Sequence, residues 1–182
     1  MELEPTEIPD VILIRPKVFG DHRGFFLETW EERKFAAAGL DARFVQDNHS
    51  RSSRHTLRGL HYQIQSPQGK LVRVTQGEVF DVAVDMRRGS PTFGRWVGRL
   101  LSDQNHCLLW VPPGFAHGFI VLSERADFLY KCTDFYAPQH ERAVCWSDPD
   151  LNIDWSLPRG TAPLVSAKDA AAPRFRDAEY FS

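Results

Sequence analysis

The sequence predicts an all-β protein, a sandwich or small barrel of jelly-roll kind, on three observations. Short runs of β-type residues recur between turn residues, aromatics make up 12% of the chain alongside 12 prolines, and only two segments carry helix start and stop signals. With 182 residues, 42% hydrophobic and 25% charged, the chain suits one globular domain, residues 1–182, with a sizeable core. No internal repeat, low-complexity tract or linker divides it.

Taken in order, the N-terminal MELEPTEIPD is acidic and lacks the positive and apolar regions of a secretory leader, and no apolar run is long enough to cross a bilayer. A cytoplasmic location is the expectation. A helix is expected from Thr29 to Ala38, where Thr29 and Glu32 have capping-box spacing and Gly39 supplies the stop. LRGLHYQ, residues 57–63, reads as a strand with His61 sharing a face with Gly59 and Gln63, while Arg58, Leu60 and Tyr62 face the other way. Arg58 and His61 could share a cavity only if the strand bends or bulges, and Gly59 makes that plausible.

KLVRVT, the Gln76-Gly77 step and EVFDVAVDM together look like a hairpin, beyond whose corner Phe80, Val82 and Val84 form an apolar face. CLLWVPPGFAHGFIVL, a break at 123–126, and DFLYKCTDFY, stopped by Pro138, look like another hairpin unit. The second helix is expected from Ser166 to Ala172, closed by Pro173.

A formal net charge of -2 gives no basic excess to attract nucleic acid or an acidic membrane, so an anionic ligand must be caught by local arginines. Cys107, Cys132 and Cys145 lack metal-like pairing and read as small buried hydrophobes.

On residue type alone each polar candidate has a structural explanation beside a functional one. His61 reads as a hydrogen-bonded strand histidine or a base. His117, delivered by the turn PPGFAHGF, reads as a histidine at the solvent edge of a tight corner or a ligand contact. Tyr130 shares a face with Phe128 and Cys132 and reads as core with a satisfied hydroxyl or as an acid. Lys70 follows Gly69 at a strand entrance. Ser166 and Asp169 have the spacing of a weak capping box, which accounts for that carboxylate, yet the same helix start could aim it at a histidine. A metal is disfavoured: among His49, His55, His61 and His117 the pair on one strand face is His61 and Gln63, and an amide oxygen substitutes poorly for imidazole.

The blocks VFGDHRGFFLETW, FVQDNHSRS, LRGLHYQ, QGKLVRVTQGEVFDVAVDMRRGSPTFGRWVG, VPPGFAHGF, FLYKCTDFYAP and VSAKDAAAP resemble, in order and over nearly the whole chain, the dTDP-4-dehydrorhamnose 3,5-epimerases of the cupin superfamily. The resemblance implies a cupin-type jelly-roll barrel, a double-stranded β-helix, with a few short helices. It implies His61 as general base, Asp169 as its carboxylate partner, Tyr130 as general acid and Lys70 beside the substrate's ketone. It further implies ligand contacts by Arg23, Glu28, Gln46, Asn48, Arg58, His117, Glu141 and Lys168, with Asp47 contributing backbone, Phe19 and Phe26 flanking the nucleobase and Tyr136 bordering the pocket. No metal or other cofactor is implied. The implied partners are a dTDP-linked 4-keto-6-deoxyhexose and a second copy of the chain, whose N-terminal region reaches its neighbour's pocket.

In that substrate carbons 3 and 5 both flank the C4 ketone, so loss of either proton gives an enolate with its charge on O4. Three readings remain open at this level: a related enzyme that inverts one carbon or moves the ketone, a non-catalytic nucleotide-sugar-binding cupin, and a metal-dependent cupin.

Overall fold

The computed structural model describes residues 1–182 as strands wound between two sheets. In chain order the strands are β1 (Glu2–Pro5), β2 (Ile12–Arg15), β3 (Val18–Asp21), β4 (Gly24–Leu27), β5 (Gln46–Ser53), β6 (Leu57–Gln63), β7 (Lys70–Gln76), β8 (Glu78–Asp85), β9 (Trp96–Ser102), β10 (Leu108–Val111), β11 (Phe115–Val121), β12 (Arg125–Cys132) and β13 (Glu141–Ala143). One sheet has the order β1-β2-β10-β7-β12-β5 and the other β13-β6-β11-β8-β9, whereas β3 and β4 pair only with each other.

Neither expected hairpin forms. Strands β7 and β8 lie in different sheets, as do β11 and β12. The Gln76-Gly77 corner is a crossing between sheets: Gly77 has φ +80°, its N–H donates to Asp103 Oδ2 at 2.7 Å, and a Cβ there would lie 2.1 Å from the Arg125 carbonyl. The carbonyl and the positive φ together demand glycine. This repeated crossing is what makes the architecture a jelly roll.

Both faces of β8 are consequently covered. Val79 and Ala83 join Val72, Val74, Phe119 and Phe128 between the sheets, and Asp81 shares that inner face. The apolar face of Phe80, Val82 and Val84 instead packs beneath the C-terminal segment, against Leu151, Trp155 and Phe175. A continuous apolar run, with one acidic interruption, is the pattern expected of a strand buried on both sides.

Helix α1 (Glu32–Ala37) starts later than expected: Glu31, not Thr29, is its N-cap, accepting from the Lys34 N–H at 2.7 Å. Trp30 packs at a tilt against Phe35 with ring centroids 4.4 Å apart, a staple across the helix start. Burying large aromatic side chains is worth roughly 2–3 kcal/mol each, against about 1 kcal/mol for a cap, so packing decides where the helix begins. Gly39 ends it at φ +97°, as expected. Helix α2 is shorter than expected, Ala167–Ala170, with Ser166 as N-cap.

Candidate active site

Strand β6 carries an extra residue relative to β11. His61 lies opposite His117 and Arg58 opposite Phe119, so three steps on one strand match two on the other. That bulge sits at Gly59, whose φ is +128° and where a Cβ would meet Gly118 Cα at 2.5 Å. It turns Arg58 and His61, which strict alternation would place on opposite faces, toward one cavity of about 480 Å³.

Into the same cavity come Lys70 from β7, His117 from β11, Tyr130 from β12, and Lys168 and Asp169 from α2. The Ser166 hydroxyl accepts from the Asp169 N–H at 3.0 Å, and the Asp169 carboxylate lies 2.5 Å from His61 Nε2. The capping and histidine-partner explanations of Asp169 therefore hold together: the cap fixes the backbone that aims the carboxylate. With Nε2 donating to Asp169, the lone pair of the neutral ring is on Nδ1. Burial lowers the His61 pKa and Asp169 opposes that shift, which favours a neutral imidazole able to accept a proton.

Burial likewise lowers the Lys70 pKa, while Cys132, Asp81 and Glu141 oppose it at a distance, without a hydrogen bond to the amine. Its amine is thus left for a ligand. Burial raises the Tyr130 pKa, keeping a protonated phenol, and no side chain hydrogen-bonds its hydroxyl.

An adjoining cavity of about 270 Å³ shares His61, Lys70 and Tyr130 and adds Gln46, Asn48, Tyr136 and Glu141. Here Glu141 pairs with Lys168 Nζ at 2.6 Å and accepts from the Tyr136 hydroxyl at 2.8 Å, tying β13 to α2. Gln46 donates to Asn48 Oδ1 at 3.1 Å. Asp47 turns its carboxylate away, to Lys131 Nζ at 2.9 Å.

Other expected contacts lie elsewhere in a single chain. Phe19, Arg23 and Phe26 line a separate cavity of about 380 Å³ on the β3–β4 hairpin, and Glu28 pairs with Lys34 Nζ at 2.8 Å. His117 is not at a solvent edge. It is 7% exposed in mid-strand, with Nε2 2.9 Å from the fully buried Asp81 carboxylate. Asp81 was not among the residues singled out, although an acid between Val79 and Ala83 on an otherwise apolar strand was the available signal. Burial raises its pKa and His117 opposes the shift.

Gln63 is structural. Its amide donates to the Ser66 carbonyl at 2.8 Å and the Phe135 carbonyl at 3.2 Å, and its oxygen accepts from the Ala137 N–H at 2.8 Å.

The family model for dTDP-4-dehydrorhamnose 3,5-epimerase matches residues 5–177. The chain belongs to that family. An epimerase of that name from Pseudomonas aeruginosa is 63% identical over 182 residues, covering 100% of this chain and 99% of the relative. The crystal structure of dTDP-6-deoxy-D-glucose-3,5-epimerase from Legionella pneumophila in complex with dTDP-4-keto-L-rhamnose aligns with TM-score 0.93 and 52% identity, over 97% of this chain and 93% of that one. A 3'-monoepimerase from Streptomyces bikiniensis in complex with dTDP-quinovose aligns with TM-score 0.88 and 35% identity, over 94% and 87%. The two-sheet architecture is the cupin jelly roll of the epimerase family, and the protein is an isomerase acting in the dTDP-rhamnose pathway.

Proposed function

We propose that the cavity around His61 converts dTDP-4-dehydro-6-deoxy-D-glucose to dTDP-4-dehydro-L-rhamnose, by proton abstraction and return at C3 and C5. The observation that carries the assignment of roles is the 2.5 Å contact of Asp169 with His61 in a cavity that also holds Lys70 and Tyr130.

His61 Nδ1 takes the proton from the carbon beside the C4 ketone, and the bonding pair moves into the enolate. Asp169 stabilises the imidazolium so formed. Lys70 faces O4, where negative charge grows, and a preorganised group of that sort is worth roughly 3–4 kcal/mol of barrier. Tyr130 gives its proton to the opposite face of the carbon, which inverts the centre. Proton exchange with solvent returns the imidazolium and phenolate to their starting states before the second carbon is treated. Arg58 and Arg23 suit the diphosphate, since a guanidinium fork matches paired phosphate oxygens.

We place the enzyme in the cytoplasm as a single-domain homodimer. Support for the dimer comes from the hairpin, whose Phe19, Phe25 and Phe26 are 52%, 61% and 69% exposed and whose Arg23 stands outside the chain's own His61 cavity. No helix is long and apolar enough to cross a membrane.

The deciding experiment is NMR of the ketosugar in deuterium oxide with the purified chain. Deuterium is expected at both C3 and C5. Label at C3 alone would replace the proposal with single-carbon epimerisation, the activity for which the Streptomyces bikiniensis relative is named.

A further inference from the structure

We infer that Ser52 is a positioning residue for diphosphate recognition, holding the Arg58 guanidinium at the cavity mouth before the ligand arrives. The inference rests on the reading of Arg58 as a diphosphate ligand.

Arg58 is exposed, and its side chain has a single hydrogen-bond partner: Nε donates to Ser52 Oγ at 3.0 Å, so both terminal nitrogens stay unengaged. Ser52 itself is 7% exposed. It belongs to β5 of one sheet and lies opposite Ala126, whereas Arg58 belongs to β6 of the other, so the bond spans the two sheets beside the cavity.

The turn between them is fixed by its backbone. The Arg54 N–H donates to the Glu124 carbonyl at 2.9 Å, His55 to Val121 at 2.8 Å, and Thr56 to Ser53 at 3.1 Å. The serine therefore cannot follow a wandering arginine. Alternation along β5 assigns the neighbouring guanidinium differently: Arg51 faces outward and grips the Asp127 carboxylate with two contacts of 2.7 Å. Ser50, two residues before Ser52, lines the cavity with Arg58.

An exposed arginine samples many rotamers, and a ligand that must order it loses affinity in doing so. Engaging Nε removes part of that loss while leaving the forked pair of terminal nitrogens, the group suited to two phosphate oxygens, free to bind.

The test is calorimetric binding of dTDP to the full-length protein, together with steady-state kinetics on the dTDP-sugar. Ser52→Ala should raise Kd for dTDP and KM by about 2- to 10-fold, the range of a single net hydrogen bond, with kcat and the melting temperature unchanged. Ser52→Thr, which keeps the hydroxyl, should restore both. In an Arg58→Ala background, adding Ser52→Ala should weaken dTDP no further.

Unchanged Kd and KM in Ser52→Ala would overturn the inference. So would an equal weakening with and without Arg58, because Ser52 would then act on the ligand or the fold by another route. If Arg58→Ala alone leaves dTDP binding intact, the diphosphate reading itself fails first, and that signature is distinct from both.

Discussion

Replacing Asp169 by Asn tests the His61 assignment most directly. The carboxylate is 3% exposed and accepts a hydrogen bond at 2.5 Å from the imidazole, so the substitution removes a buried charge-assisted bond with little change of shape. Such bonds contribute about 1.5–3 kcal/mol, which at 1.36 kcal/mol per decade is roughly 10- to 160-fold in rate. A tautomer effect adds to this. An amide donating its N–H to Nε2 would move the ring proton to Nδ1 and occupy the basic position; in the serine-protease triad the corresponding change costs about 10⁴-fold. We therefore expect kcat to fall at least a hundredfold, with dTDP binding intact because the carboxylate is not part of the diphosphate grip. The pH profile supplies a second readout. Burial lowers the His61 pKa and Asp169 is the main group raising it, so losing the carboxylate removes most of the opposition to burial and the pKa falls further. The acid limb of kcat/KM should move to lower pH. An Asp169→Asn enzyme within threefold of the parent, or a limb that moves upward, would refute the dyad.

The proposed sharing of the active site between subunits makes a prediction that no single variant can. Arg23→Ala and His61→Ala proteins, each strongly impaired, should regain activity when mixed and allowed to exchange subunits, because the hybrid holds one intact site; mixtures that exchange without recovery would confine each site to one chain. Acid stability should depend on Asp85. Burial raises its pKa, but hydrogen bonds from Arg87, Ser90 and Thr92 outweigh this and hold it at about 2, below the unfolded value of 3.8. A depressed folded pKa stabilises the protein above the unfolded value and loses that effect as pH falls through the folded one. The stability gap between the parent and Asp85→Asn, followed by chemical denaturation, should therefore close between about pH 4 and pH 2; a constant gap would contradict the assignment. Elemental analysis should find no stoichiometric transition metal and chelators should leave turnover unchanged, since the amide beside His61 is already engaged by backbone on three sides; a bound metal whose removal abolishes turnover would overturn the scheme.

That His61, Lys70, Tyr130 and Asp169 belong together was legible through the resemblance of their short blocks to the epimerase family, and the structure brings the four to one cavity. Asp169 could be read as both cap and histidine partner, and both readings hold. The strand crossings were not legible. A Gln-Gly corner between two β-runs looks the same whether the strands pair with each other or separate into opposite sheets, since pairing is decided by distant partners: β10 and β12 for β7, and β9 and β11 for β8. The start of α1 was misplaced for a related reason. Local capping favoured Thr29, but Trp30 had to reach Phe35 and Phe44, with centroids 4.4 and 4.6 Å away. Asp81 escaped notice because its meaning depends on His117, 36 residues further along and across a strand pair.

Close backbone contact at Gly59 also sets terms for protein engineering. A β-carbon at position 59 would lie 2.8 Å from the His117 carbonyl, and one at position 118 would lie 2.7 Å from the Arg58 carbonyl. Randomised libraries covering either site will return the parent residue almost exclusively. New substrate tolerance must be sought among cavity walls that leave this junction alone, such as Ser50, Leu164 and Val165.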